Sequence, residues 1–159
     1  MIRILFDEIG DSHLDIFLKV DAMPSFLQIA DTYFLSDFLN KKLETKEEIV
    51  LGYLEYFEKQ VKGLNDNQTF IAFDLSDQYV GGLIITKAKK GLIKVEYGCI
   101  EGITGWKVRQ KSIVNLINKN RKDFRVDREW LLSKSAVIEG LTWSIEKIKK
   151  LPNVKPKRH

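Results

Sequence analysis

Apolar and polar positions alternate from the start of the chain. Ile2, Ile4 and Phe6 lie two apart with Arg3 and Leu5 between them, and Leu14, Ile16, Leu18 and Val20 alternate with Asp15, Phe17 and Lys19. A period of two sets each series on one face of a strand, so the two runs, joined by the polar stretch 7–12, predict a β-hairpin or two neighbouring strands. Residues 26–39 carry two patterns at once. Phe26, Ala30, Phe34 and Phe38 recur at helical spacing, while Thr32-Tyr33-Phe34-Leu35 is strand-like, and the pattern leaves helix or strand open.

The clearest element follows. Thr45 with Glu48 three residues later forms a capping box, Glu47 and Glu48 occupy the turn where a helix dipole favours acids, and Gly63 supplies the stop. Between them Val50, Tyr53, Leu54, Phe57 and Val61 make one apolar stripe, opposite Glu48, Glu55, Lys59 and Lys62. After a turn at 65–67 come three strand candidates, 69–75, 78–86 and 92–100, with Ser76-Asp77 and residues 87–91 as connections. In the third, Ile93, Val95, Tyr97 and Cys99 alternate with Lys94, Glu96 and Gly98, which predicts one buried and one wet face of an antiparallel meander.

Residues 107–120 suit a helix with Val108, Ile113, Leu116 and Ile117 inward, and 124–132 suit a short strand. A last helix at about 134–150 carries Ile138, Leu141, Ile145 and Ile148 inward, and Pro152 ends it. Trp143 falls on the other side of that helix, beside Ala136, Gly140 and Lys147, where packing under a neighbouring element is favoured over anchoring a partner. Strands and helices in this order predict an α+β domain: a mainly antiparallel sheet with a central meander and helices packed on one face. Residues 1–152 form that single domain, and 153–159 are a basic, flexible tail.

Composition narrows the function classes. With 44% apolar and 11% aromatic residues in 159, the chain has enough apolar material for one core. The one cysteine, Cys99, cannot form an internal disulfide, no secretory pattern opens the sequence, and no apolar run is long enough to span a bilayer. A cytoplasmic protein with no membrane partner is the expectation. Charge is segregated: residues 1–80 hold 7 Lys/Arg against 15 Asp/Glu, a net of −8, and residues 81–159 hold 19 against 7, a net of +12. Such asymmetry reports on what a surface touches.

Candidate chemistry is sparse. Asp7, Asp11, His13 and Asp15 are the one combination that could ligate a metal or tune a base, yet they fall at a predicted turn, where acids and Ser serve the backbone. Cys99 alternates with inward residues and has no His partner near it, so a buried, inert thiol is expected. Gly81-Gly82 sits within a strand and lacks the Lys-Ser/Thr of a phosphate loop, so a bulge or close backbone approach is expected there. Asn67-Gln68-Thr69 matches a glycosylation sequon by chance. No catalytic residue, metal ligand or cofactor site is assigned, and an enzyme is not expected.

The order of features resembles the immunity proteins of bacterial contact-dependent growth inhibition systems. The likeness rests on a short N-terminal β region, the acidic aromatic stretch Tyr33-Phe34-Leu35-Ser36-Asp37-Phe38, the amphipathic helix from Glu47 to Lys62 ending in Gly63, and the meander from Phe70 to Ile100. A linking helix, the segment Arg128-Glu129-Trp130-Leu131-Leu132 and the helix at 135–150 complete it. The resemblance implies a protein that binds and occludes the C-terminal toxin domain, often a nuclease, of its own cell's effector. The net charge of +4 departs from the acidic character common among nuclease inhibitors.

Charge steering and aromatic anchoring then select Asp31, Tyr33 and Asp37, with Asp74 and Asp77 from the hairpin turn, as the partner-binding surface. The alternative is a nucleic-acid-binding accessory protein. It would use the basic half, from Lys87, Lys89 and Lys90 through Lys107, Arg109, Lys111, Lys119, Arg121 and Lys122 to Arg125 and Arg128, with Tyr97 or Trp106 for stacking.

Overall fold

The computed structural model describes residues 1–7, 9, 13–40, 45–65 and 68–152. Three strands, β1 (Ile2–Phe6), β2 (Leu14–Val20) and β3 (Leu27–Asp31), form an antiparallel sheet in that order. Two helices follow, α1 (Thr32–Leu39) and α2 (Lys46–Lys62). A second antiparallel sheet is a four-strand meander of β4 (Gln68–Leu75), β5 (Tyr79–Lys87), β6 (Leu92–Glu101) and β7 (Arg125–Ser133). Between β6 and β7 lie α3 (Ile113–Lys119) and two 3-10 turns, at Gly105–Lys107 and Arg121–Asp123, and α4 (Lys134–Lys149) closes the domain. The fold is α+β with antiparallel sheets, as the pattern predicts, but the strands divide into two sheets rather than one.

The segment that the pattern left open is both strand and helix. Chain direction changes at Asp31, the last residue of β3, whose carboxylate accepts the Tyr33 N–H at 2.7 Å and so caps α1. In α2 the Thr45 hydroxyl accepts the Glu48 N–H at 3.2 Å, and the Gly63 N–H closes on the Lys59 carbonyl. All five stripe residues are buried, and each such side chain contributes about 1.5–3 kcal/mol through removal from water.

β2 departs from strict alternation. A register shift between Leu14 and Ile16 places Asp15 and Ile16 both inward and leaves Leu14, expected in the core, 57% exposed. The bulge is stabilised by what Asp15 holds. Only 1% exposed, it accepts Thr32 N–H at 3.1 Å and Thr32 Oγ1–H at 2.8 Å, and pairs with Lys46 Nζ at 2.9 Å, tying β2 to the starts of both helices.

The meander is covered on both faces. Directly paired residues share a face, so Phe70, Ile84 and Glu96 line one side. Phe124 packs its ring against Phe70, and Arg121 reaches Glu96 at 3.0 Å. The side of β6 expected to be wet is therefore partly roofed by the 105–124 segment, and Glu96 is buried, paired with both Arg121 and Lys94. That segment is less helical than expected: Val108 is extended, and the helix starts only at Ile113. Gly82 fits the close-approach reading, because a Cβ there would lie 2.1 Å from the Ile71 carbonyl oxygen.

α4 also turns differently from the pattern. Val137, Gly140, Leu141, Ser144, Ile145 and Ile148 are buried, and Ile138 is half-buried, packed against the core. Gly140, read as an outer position, is where the helix meets β1: a Cβ there would come within 2.1 Å of the Ile2 carbonyl oxygen. Trp143 is half-buried, with the Arg3 guanidinium and the Lys147 ammonium each 5.4 Å from its ring centroid.

Candidate partner-binding surface

The five residues selected from sequence do not form one group. Asp31, Tyr33 and Asp37 stand at the start and outer side of α1, and Tyr33 and Asp37, four residues apart, share a helix face. Tyr33 is 59% exposed, yet its ring is held: edge-on to Trp106 at 5.4 Å, to Phe34 at 6.3 Å and to His13 at 6.4 Å. Phe34 lies 4.4 Å from Trp106, centroid to centroid.

Trp106 is the hub that sequence reading missed. Assigned there to the basic half as a stacking platform, it folds back onto α1 and donates its indole N–H to the Asp77 carboxylate. Asp77, in the β4–β5 turn, thereby joins Tyr33 through one aromatic bridge. The position follows from Gly105, whose N–H donates to the Ser76 carbonyl at 2.7 Å and where a Cβ would meet Leu75 at 2.9 Å. A Gly-Trp pair after an extended stretch was the available signal; its long-range partner was not. Arg109, close by, is turned onto the carbonyls of Trp106 and Val108, so its charge serves the loop.

Asp74 does not belong to this surface. It lies within β4 rather than in the turn, and the bulge between Ala72 and Leu75 aims it elsewhere. It accepts the Tyr79 hydroxyl at 2.8 Å. Burial pushes the Asp74 carboxyl above its ordinary value, partly opposed by the Tyr79 hydrogen bond, and burial followed by the Asp74 bond pushes the Tyr79 phenol up to about 12. Both line a shallow cleft of about 340 Å³ with Gln28, Tyr97, Cys99 and Arg125. Cys99 is thus half-buried at a cleft wall rather than fully buried as expected. Burial raises the Tyr97 phenol above its ordinary range, and its hydroxyl donates to Gln28 at 3.2 Å, linking the two sheets.

Of the acid and histidine cluster near the first turn, Asp11 lies outside the described residues. Asp15 is the buried anchor described above, and His13 is exposed, 4.0 Å from Asp31. Among the described residues no three His, Cys, Asp or Glu side chains gather as metal ligands would. The Asn67 sequon and the tail at 153–159 also fall outside the described residues.

Much of the basic half is internally matched. Arg121 pairs with Glu96, Lys94 with Glu96 and Glu129, Arg125 with Glu101, and Arg128 with Asp127, while Lys134 donates to the Lys62 and Leu64 carbonyls. No helix among the described residues is long and apolar enough to cross a membrane. Compared with protein-family models, with curated proteins and with solved structures, the chain has no match.

Proposed function

We propose that this chain is a stoichiometric protein-binding inhibitor, an immunity protein that occludes the C-terminal toxin domain of a contact-dependent growth inhibition effector, with a nuclease as the favoured toxin. The observation that carries the reading is the constellation of Tyr33, Trp106 and Asp77. An exposed aromatic ring braced edge-on by a tryptophan that is itself tied to a carboxylate is a pre-ordered anchor, so little side-chain freedom is lost on docking. Asp31 and Asp37 flank it, and acids around an aromatic anchor steer a basic face such as a nuclease presents to its substrate. The order of elements, with an N-terminal sheet, the amphipathic α2, a meander and a C-terminal helix, supports the family resemblance.

The nucleic-acid alternative has less support. Arg109, Arg121, Arg125 and Arg128 are each engaged within the fold, and Trp106 is turned onto α1.

The test is a titration of the toxin domain encoded beside this chain. Activity should fall linearly to an end point at one inhibitor per toxin. Full toxin activity in molar excess of this chain, together with retention of the chain on a nucleic-acid column with a steep salt slope, would replace the proposal with the alternative.

A further inference from the structure

The cleft that Asp74 and Tyr79 line is opened by a glycine. The pairs Tyr79–Glu101, Gly81–Cys99 and Leu83–Tyr97 lie on one face of the meander, and Arg125 of β7 extends the Gly81–Cys99 row. Gly81 contributes no side chain to that row. A Cβ there would lie 3.3 Å from the Asp74 Cβ, so the Asp74 side chain borders the space that a side chain at position 81 would fill. The result is a recess over the Gly81 backbone, with Tyr79 in the row on one side, Tyr97 in the row on the other, and Cys99 on the neighbouring strand. Gln28 reaches it from β3 and accepts the Tyr97 hydroxyl.

We propose that this recess binds the ammonium end of a short alkylamine, with the Asp74 carboxylate as counter-ion and the Tyr79 and Tyr97 rings as walls. The charges that line it select the ligand. Glu101 is paired with Arg125 and Asp127 with Arg128, whereas Asp74 accepts from the Tyr79 hydroxyl, a neutral donor. An anion placed here would meet the carboxylates of Asp74, Glu101 and Asp127, and an apolar group would strip water from Asp74 and both phenols at a cost in free energy. A small cation incurs neither cost. Its charge is matched by Asp74, and phenol rings within about 6 Å attract it further. Burial raises the Asp74 carboxyl above its ordinary value, as expected where a phenol rather than a cation faces it. At about 340 Å³ the recess is at the small end of ligand pockets, which suits one short chain. The proposal stands apart from the inhibitor role, and its test contains no toxin.

Cys99 reports occupancy, because it lines the recess. At about 20 mM and constant ionic strength, n-butylammonium should slow labelling of the native thiol by iodoacetamide about twofold or more, as millimolar affinity for so small a ligand implies. Butanol and butyrate, neutral and anionic at the same chain length, should not. The backbone amide resonances of Gly81 and Gly98 should move in the same titration, which reads occupancy without the thiol. Asp74→Asn keeps an acceptor for Tyr79 and should lose both responses, whereas Glu139→Gln, which removes an exposed acid from α4, should keep them. Circular dichroism establishes that each variant is folded. Nα-acetyllysine amide carries the same ammonium on a peptide unit: a response to butylammonium alone assigns the recess to a free amine, an equal response to both assigns it to a lysine side chain, and each supports the site. Resonances that stay fixed up to about 100 mM butylammonium, or a response that survives Asp74→Asn in a folded protein, overturn the proposal.

Discussion

The backbone N–H of Ile4 donates to Ser144 Oγ at 3.0 Å, across 140 residues of sequence. β1 is an edge strand, and edge strands present unpaired donors to any passing strand. α4 closes this edge. Ser144 accepts from Ile4 and donates to the Gly140 carbonyl, while Gly140 lets the helix backbone approach Ile2.

Ser144→Ala should therefore cost about 1–3 kcal/mol, because the buried Ile4 donor loses its acceptor. Gly140→Ala should also destabilise, by about 1–3 kcal/mol, even though alanine favours helix, since the added carbon meets the Ile2 carbonyl. Denaturant titration of both variants checks this. A Gly140→Ala protein more stable than the parent would mean that α4 does not sit against β1.

Asp74 gives a pH signature. Its folded-state value is raised by burial, so the folded protein holds its proton where the unfolded chain has already released it. The favourable contribution is complete at low pH and is lost as pH rises through the raised value. Asp74→Asn keeps an acceptor for Tyr79 and removes the ionisation. Relative to the parent, the variant should gain stability as pH rises from about 4, where an unfolded aspartate ionises, read by thermal unfolding at acid and at neutral pH. A gain in the opposite direction would place Asp74 in a setting that favours its charge.

Cys99 should react with a thiol reagent without unfolding of the protein, because it lines an open cleft. Labelling should be stoichiometric in native buffer and slower than in denaturant. Labelling only at the rate of global unfolding would return the thiol to the core.

What sequence made legible was set by short-range physics. Alternation in β1, the Thr45 cap of α2 and the α2 stripe depend on neighbours within one helical turn or one strand, and these appear as read. The readings that changed depended on distant contacts. Asp15 is buried because Thr32 and Lys46 surround it, Glu96 because Arg121 and Lys94 neutralise it, and Gly140 because Ile2 lies against it. The candidate surface follows the same rule. Tyr33 and Asp37 share one helix, whereas the bridge to Asp77 runs through Trp106, and the bulge that removes Asp74 is a pairing feature of β4 with β5.

The most direct test of the proposed inhibitor is association kinetics with the toxin domain at two salt concentrations. Asp31→Asn retains the helix cap while removing charge, and Asp37→Lys reverses a charge on the same surface. Combined, these changes should slow association and flatten its salt dependence, since steering by surface charge is screened over roughly 8–10 Å at ordinary ionic strength. Tyr33→Ala should chiefly speed dissociation. Lys89→Glu with Lys90→Glu, on the β5–β6 hairpin, should change little. Binding that is abolished by the lysine reversals and untouched by the three changes around α1 would contradict the account and make the basic half the working face.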